Sequence, residues 1–309
     1  LTGDLIANDT TISFGSLTIG SNGEYSATSG TTTVDQGSTY VLRNLGTYTH
    51  NSGTLKVARS SASGTRFLEL GSAAIHKLVI DGSATTAAVA FVGVVNCAGD
   101  LEVTNGDFRA YGGSGDVTID GDVTVSNSSF FRTETSQLAA GGVNASLGSL
   151  SVASGATYDA TPLTTTITNQ TGGGYAWYNA SGGTFTHNNG LVKFTDNASL
   201  YCQENTFYDL ELNLSSVSLE FRWSDISGNT LNILNNFTIS SGRFKFNTAG
   251  DSIIVHGLTK LESTSQYGLN SPSGTHTFNG LVTLNGGTWF LSSGTNNMAG
   301  IRNVGGTIS

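Results

Sequence analysis

The chain has 309 residues and a net charge of −9, with 13 Lys and Arg against 22 Asp and Glu, and charged residues make up only 11% of it. That balance disfavours nucleic acid and anionic membrane surfaces, both of which reward basic patches. No apolar run approaches the ~20 residues of a membrane helix, and 2 Cys in a chain of this length make no disulfide framework.

From the N-terminus, Leu17-Thr18-Ile19 is the first clear alternation, set off by Ser21-Asn22-Gly23 and Ser29-Gly30. Ser52-Gly53 marks a further turn. The pattern resumes as Leu101-Glu102-Val103, then Asn105-Gly106, Val117-Thr118-Ile119 and Val123-Thr124-Val125. It closes with Ser241-Gly242, Phe244-Lys245-Phe246 and Gly286-Gly287. Period-two runs of β-branched and aromatic residues bounded by Gly, Asn and Ser predict short strands. No window carries a sustained helical stripe, so almost no helix is expected.

The chain also repeats itself at long range. Gly46-Thr47-Tyr48-Thr49-His50-Asn51-Ser52-Gly53 returns 137 residues later as Gly183-Thr184-Phe185-Thr186-His187-Asn188-Asn189-Gly190. Gly15-Ser16-Leu17-Thr18-Ile19 returns after 133 residues as Gly148-Ser149-Leu150-Ser151-Val152. Arg43-Asn44-Leu45-Gly46 reappears as Arg302-Asn303-Val304-Gly305. Repetition without linkers marks a solenoid, in which each unit buries its apolar face on the next. The predicted fold is all-β: a right-handed parallel β-helix forming an elongated rod. One supra-repeat copy covers residues 1–133, a second 134–263, and a partial third 264–309, as one continuous solenoid. With coils of roughly 20 residues stacked ~4.8 Å apart, one copy is about six or seven coils. The chain starts without Met and stops inside the third copy, which reads as a segment of a longer repetitive polypeptide.

Few residues offer chemistry. His50 and His187 recur, each in a Thr-His-Asn turn with no Cys, Asp or His at ligand spacing, and read as structural. Cys97 and Cys202 fall opposite Ile233 and Thr65 in the other copy, so two free thiols are expected, one buried and one partly exposed. Acids gather at Asp100, Glu102, Asp107, Asp116, Asp120 and Asp122. Alternate strand residues share a face, so a Ca²⁺ site or a carboxylate pair is conceivable there; solvated strand edges are the simpler account. Gly112-Gly113-Ser114-Gly115-Asp116 is close to the calcium-binding nonapeptide but does not iterate. No cofactor is expected.

One feature is private to the second copy. Between Asn169 and Gly183 it is four residues longer than the first and carries Gly172-Gly173-Gly174-Tyr175-Ala176-Trp177-Tyr178. Aromatic faces stack on sugar rings, so Tyr175, Trp177 and Tyr178, joined by Trp223, are the candidate glycan- or surface-binding residues.

The phrase Gly182-Gly183-Thr184-Phe185-Thr186-His187-Asn188-Asn189-Gly190, with Lys193-Phe194 and Asn205-Thr206-Phe207-Tyr208-Asp209-Leu210, resembles repeats of large secreted bacterial β-helix adhesins and of fibre-like structural proteins of bacteriophages, marine ones especially. The segment from Gly15 to Gly30 is similar in style. The resemblance implies an extended extracellular element, on a virion or bacterial surface, that projects, spaces or adheres. It carries over no catalytic residue. The expected partners are further copies of the chain, other fibre or virion subunits in an assembly such as a homotrimer, and cell-surface glycan, with no nucleic acid and no membrane insertion. The expectation is therefore a structural or adhesive fibre segment, not an enzyme. A polysaccharide lyase or hydrolase on the same scaffold is the alternative of another class. Ice binding is a third, hinted at by Thr31-Thr32-Thr33 and Thr164-Thr165-Thr166.

Overall fold

A computed structural model describes all of residues 1–309 except 9–10, 36–38, 61–63, 85, 111–114, 134–142, 172–173, 197–199, 205, 224–227, 249, 264 and 270–272. Among the described residues there is no helix. The strands pair in parallel, and the chain is a β-solenoid of about 12 turns. Each strand pairs with the equivalent strand one coil earlier and one coil later, so the ladder advances along the chain and does not close into a barrel.

Two compact units divide the chain: residues 1–163 with 179–186, and residues 164–178 with 187–309. In the first, Thr31–Val34, Thr54–Val57, Lys77–Asp81 and Leu101–Asn105 stack in register, joined by the second half of Val117–Val125. A second ladder of eight strands begins at Leu17–Ile19 and runs to Thr184–Thr186. In the second unit, Leu191–Phe194, Asp209–Asn213, Phe237–Ser241 and Thr259–Glu262 stack in the same way. Coils are longer than the roughly 20 residues expected. Register partners are commonly 22 to 27 apart, as from Leu101 to Val123 and from Leu210 to Phe237, with a short step of 18 from Leu191 to Asp209. The turns absorb the difference, because only the strands must superpose.

Alternation decides what is inside. Thr54–Val57 and Glu220–Trp223 each bury every second residue. Inward positions then meet their own equivalents one coil away, and aromatic residues stack. Phe108, Phe131, Tyr158 and Phe185 form one ladder, with ring centroids 5.8, 5.3 and 6.0 Å apart. The second unit has its own: Phe221, Phe244, Tyr267 and Trp289, at 5.8, 5.6 and 4.1 Å. Each such pair adds about 0.5–1.5 kcal/mol beyond the area it buries.

The repeated His-Asn turns have a clear cause. Asn51 and Ser52 have φ of 47° and 59°, and Asn188 and Asn189 have 46° and 60°. Two consecutive residues with positive φ make the tight turn that Asn tolerates. Gly53 follows because a Cβ there would lie 2.0 Å from the Thr28 carbonyl oxygen one coil below. The threonine triplet is no outward array: Thr32 and Thr165 point inward and are buried, and Thr32 Oγ1 lies 2.8 Å from Tyr25 Oη.

Phe244→Ala empties the middle of an aromatic ladder and is expected to cost about 3–5 kcal/mol. Leu258→Ala, at a 58% exposed position, should stay within about 0.5 kcal/mol. Urea unfolding followed by circular dichroism checks both; equal midpoints would show that the ladder does not carry the stability assigned to it.

Candidate functional site

The acids that sit close in sequence do not converge. Glu102 accepts from Lys77 Nζ at 2.5 Å, one coil away. Asp107, only 5% exposed, lies between Arg109 and Arg132, and Arg132 Nη1 reaches on to Asp159 at 2.9 Å. Asp100 Oδ1 accepts the Asp122 backbone N–H at 3.1 Å, and Asp122 Oδ1 accepts the Ser149 hydroxyl at 2.7 Å. Asp116 Oδ1 accepts the Asn144 backbone N–H at 3.0 Å. Asp120 is exposed. Each of these bonds ties one coil to the next, and no carboxylate pair or oxygen cage forms among them. Gly112, Gly113 and Ser114, the core of the nonapeptide-like phrase, lie outside the described residues. No group of three or more His, Cys, Asp or Glu among the described residues is placed to hold a metal ion.

The recurrent histidines are turn residues. His50 Nδ1 accepts the Ser52 N–H at 2.9 Å, and His187 Nδ1 accepts the Asn189 N–H at 3.0 Å. Each ring stacks at 5.7 Å on an aromatic ring of a neighbouring coil, His76 and Tyr208 respectively. Both thiols are free and both are buried, so the expectation of one exposed thiol is corrected. Burial pushes Cys97 up to about 11 and Cys202 further still. Cys202 is inside because it pairs with Trp177 on one side and Trp223 on the other, where a small side chain fits between two indoles.

The aromatic candidates separate into two groups. Trp177 and Trp223 are fully buried, which removes them from the surface. Trp177 packs against Phe194 and Phe207, and Trp223 Nε1 donates to the Glu204 carbonyl at 2.8 Å. Tyr175 and Tyr178 remain half-exposed, their rings 5.3 Å apart. Gly172 and Gly173 of the same stretch lie outside the described residues.

Around Tyr175 the structure assembles a strip that the sequence reading missed. Tyr175 pairs with Tyr201, Tyr201 with Arg222, and Arg222 with Lys245, one residue per coil on the outer face of the second unit. The Tyr175 and Tyr201 rings are 5.9 Å apart. The Arg222 guanidinium lies 5.1 Å over the Tyr201 ring and donates to its hydroxyl. Gln203 Nε2 donates to Tyr175 Oη at 3.4 Å. Glu220 accepts from Arg222 at 2.8 Å and Lys245 at 3.4 Å. Burial raises its carboxyl, but these two cations outweigh that and hold it below the usual range. The signal was present in the sequence as spacing: positions 175, 201, 222 and 245 are each about one coil apart.

One buried group has an acid-sensitive environment. His276 has no exposed surface, stacks on Phe246 at 4.6 Å and shares a 3.0 Å hydrogen bond with the buried Tyr267 hydroxyl. Its Nε2 has no partner among the described residues. Burial lowers the imidazole to about 4.

Comparison with protein-family models, with curated proteins and with solved structures found no match to this chain.

His276 stays neutral in the folded state while the unfolded chain protonates near 6.5. Its contribution to stability is therefore complete above about pH 6.5 and is lost as the pH falls toward 4, by at most about 3 kcal/mol. His276→Leu should flatten this part of the stability–pH profile. Denaturant midpoints at pH 7 and pH 4.5 test it, and an unchanged slope in the variant would refute the assignment.

Proposed function

We propose that this chain is a structural and adhesive segment of an extracellular fibre, of the kind borne by a bacteriophage tail or capsid. The observation that supports this reading is where its ionisable groups lie. The acids and bases described above hold one coil to the next, as in Lys77 with Glu102, and Arg132 with Asp107 and Asp159. The same neighbour-to-neighbour bonding recurs in the second unit as Lys193 with Glu211 and Lys245 with Glu220. Side chains used in this way build a framework whose length is set by the number of coils. Its natural partners are further copies of the same chain or other fibre subunits, and the half-exposed tyrosines supply a contact surface.

Immunogold labelling with antibody raised against the purified chain tests the proposal. Gold on fibres of virus particles produced by the source culture is the expected result. Gold on the cell envelope would move the fibre to the bacterial surface. Label confined to free secreted protein, with new reducing ends released from polysaccharide, would replace the fibre with an enzyme.

A further inference from the structure

We infer that the strip around Tyr175, Tyr201 and Arg222 is a binding site for an acidic polysaccharide, one whose sugar units carry carboxylate or sulfate groups. This inference rests on the adhesive half of the proposed function and names its ligand class. Three observations converge on it.

The first is the arrangement of the rings. Tyr178, Tyr175 and Tyr201 are half-exposed and mutually in contact, at 5.3 and 5.9 Å between centroids. Tyr presents an apolar face and a polar tip, which suits the C–H face of a pyranose and its hydroxyls together. Parallel coils advance by ~4.8 Å, so the run from Tyr175 to Lys245 covers three steps, or ~14 Å. That length accommodates a short run of sugar units and exceeds what one small ligand would use.

Charge is the second. The chain as a whole carries −9. On the strands Leu200–Cys202, Glu220–Trp223 and Arg243–Phe246, however, three cations, Arg222, Arg243 and Lys245, face one carboxylate, Glu220. Elsewhere on the framework cations and acids are matched more nearly one to one, as in Lys56 with Asp81 and Arg43 with Glu69. A local positive excess on an acidic protein draws an anion to that place, since like charge elsewhere repels it.

The third is an unmet hydrogen-bonding group. Arg243 stands in register with Glu220 yet forms no ion pair with it, and its Nε is buried without an acceptor among the described residues. A guanidinium in that condition favours an incoming carboxylate or sulfate oxygen, which it can bind through its planar fork. Arg222 is already bonded to Glu220 and the Tyr201 hydroxyl, so its plane is held rigidly beside the rings before any ligand arrives.

The purified chain, titrated calorimetrically with oligogalacturonate, a sulfated galactan oligomer and a neutral β-glucan of equal length, tests the inference. Binding of one or both acidic oligomers at least about tenfold tighter than the glucan is expected, weakening as salt screens the charges. Arg243→Gln should weaken acidic binding by roughly tenfold, the loss of a charge-assisted hydrogen bond, with an unchanged thermal midpoint, because it breaks no ion pair. Tyr201→Ala should weaken it for either acidic oligomer, and circular dichroism checks its fold. Equal affinity for glucan and acidic oligomers, or affinity that Arg243→Gln leaves intact, would overturn the acidic ligand class. Absence of binding to all three would overturn the site while leaving the fibre assignment to the labelling experiment. Release of reducing ends during the titration would instead count against the fibre itself.

Discussion

Everything in this molecule follows from a parallel ladder in which each residue sits on its own equivalent one coil later. The backbone N–H and C=O groups are satisfied between coils, so a coil without its neighbours would leave its strand edges unpaired. The same register brings like on like. An inward phenylalanine meets an inward aromatic, as in Phe131 on Phe108 and Phe244 on Phe221. An outward lysine meets whatever occupies its column, and that is commonly an acid, as in Lys193 on Glu211. Because side chains alternate with period two, a slip of one residue would turn the whole core outward, and the apolar columns forbid it.

This constraint acts on strands and leaves turns free. Coil length varies from 18 to 27 residues at the positions compared above, yet the inward columns stay in line. The ion pairs are individually modest, since most of their side chains are a fifth to two-fifths exposed and pairs of that kind contribute at most about 1 kcal/mol. Asp107 is the exception in burial, and it is held by two arginines from two coils. The weight of stability lies with the apolar and aromatic columns, and the charges choose among registers.

The candidate site shows where a sequence reading meets its limit. The aromatic cluster at Tyr175 and Trp177 was visible, but strict alternation would place both residues on one face. The register shifts between them, so Ala176 and Trp177 are both buried and Tyr175 stays outside. That single irregularity exchanges a surface tryptophan for a core one. Tyr201 and Arg222 went unnoticed because their partners are a coil away, and the coil spacing was underestimated. Cys202 was misplaced for the same reason, its position between Trp177 and Trp223 being a matter of register.

By itself the sequence determined the class of the fold. Alternating β-branched and aromatic residues, turns of Asn and Gly, and long-range repetition leave a parallel solenoid as the arrangement that buries every apolar column. It also determined that His50 and His187 are turn residues, since the local Thr-His-Asn pattern dictates the backbone. Only the tertiary structure decided which residues share a column, because that depends on the number of residues in every intervening turn. The dispersal of the acids along coil-to-coil bonds, the burial of both tryptophans and the gathering of Tyr175, Tyr201, Arg222 and Lys245 on one face are all consequences of that count. Local patterns report on bonds made within a few residues, whereas a site on a solenoid is built from residues one coil apart.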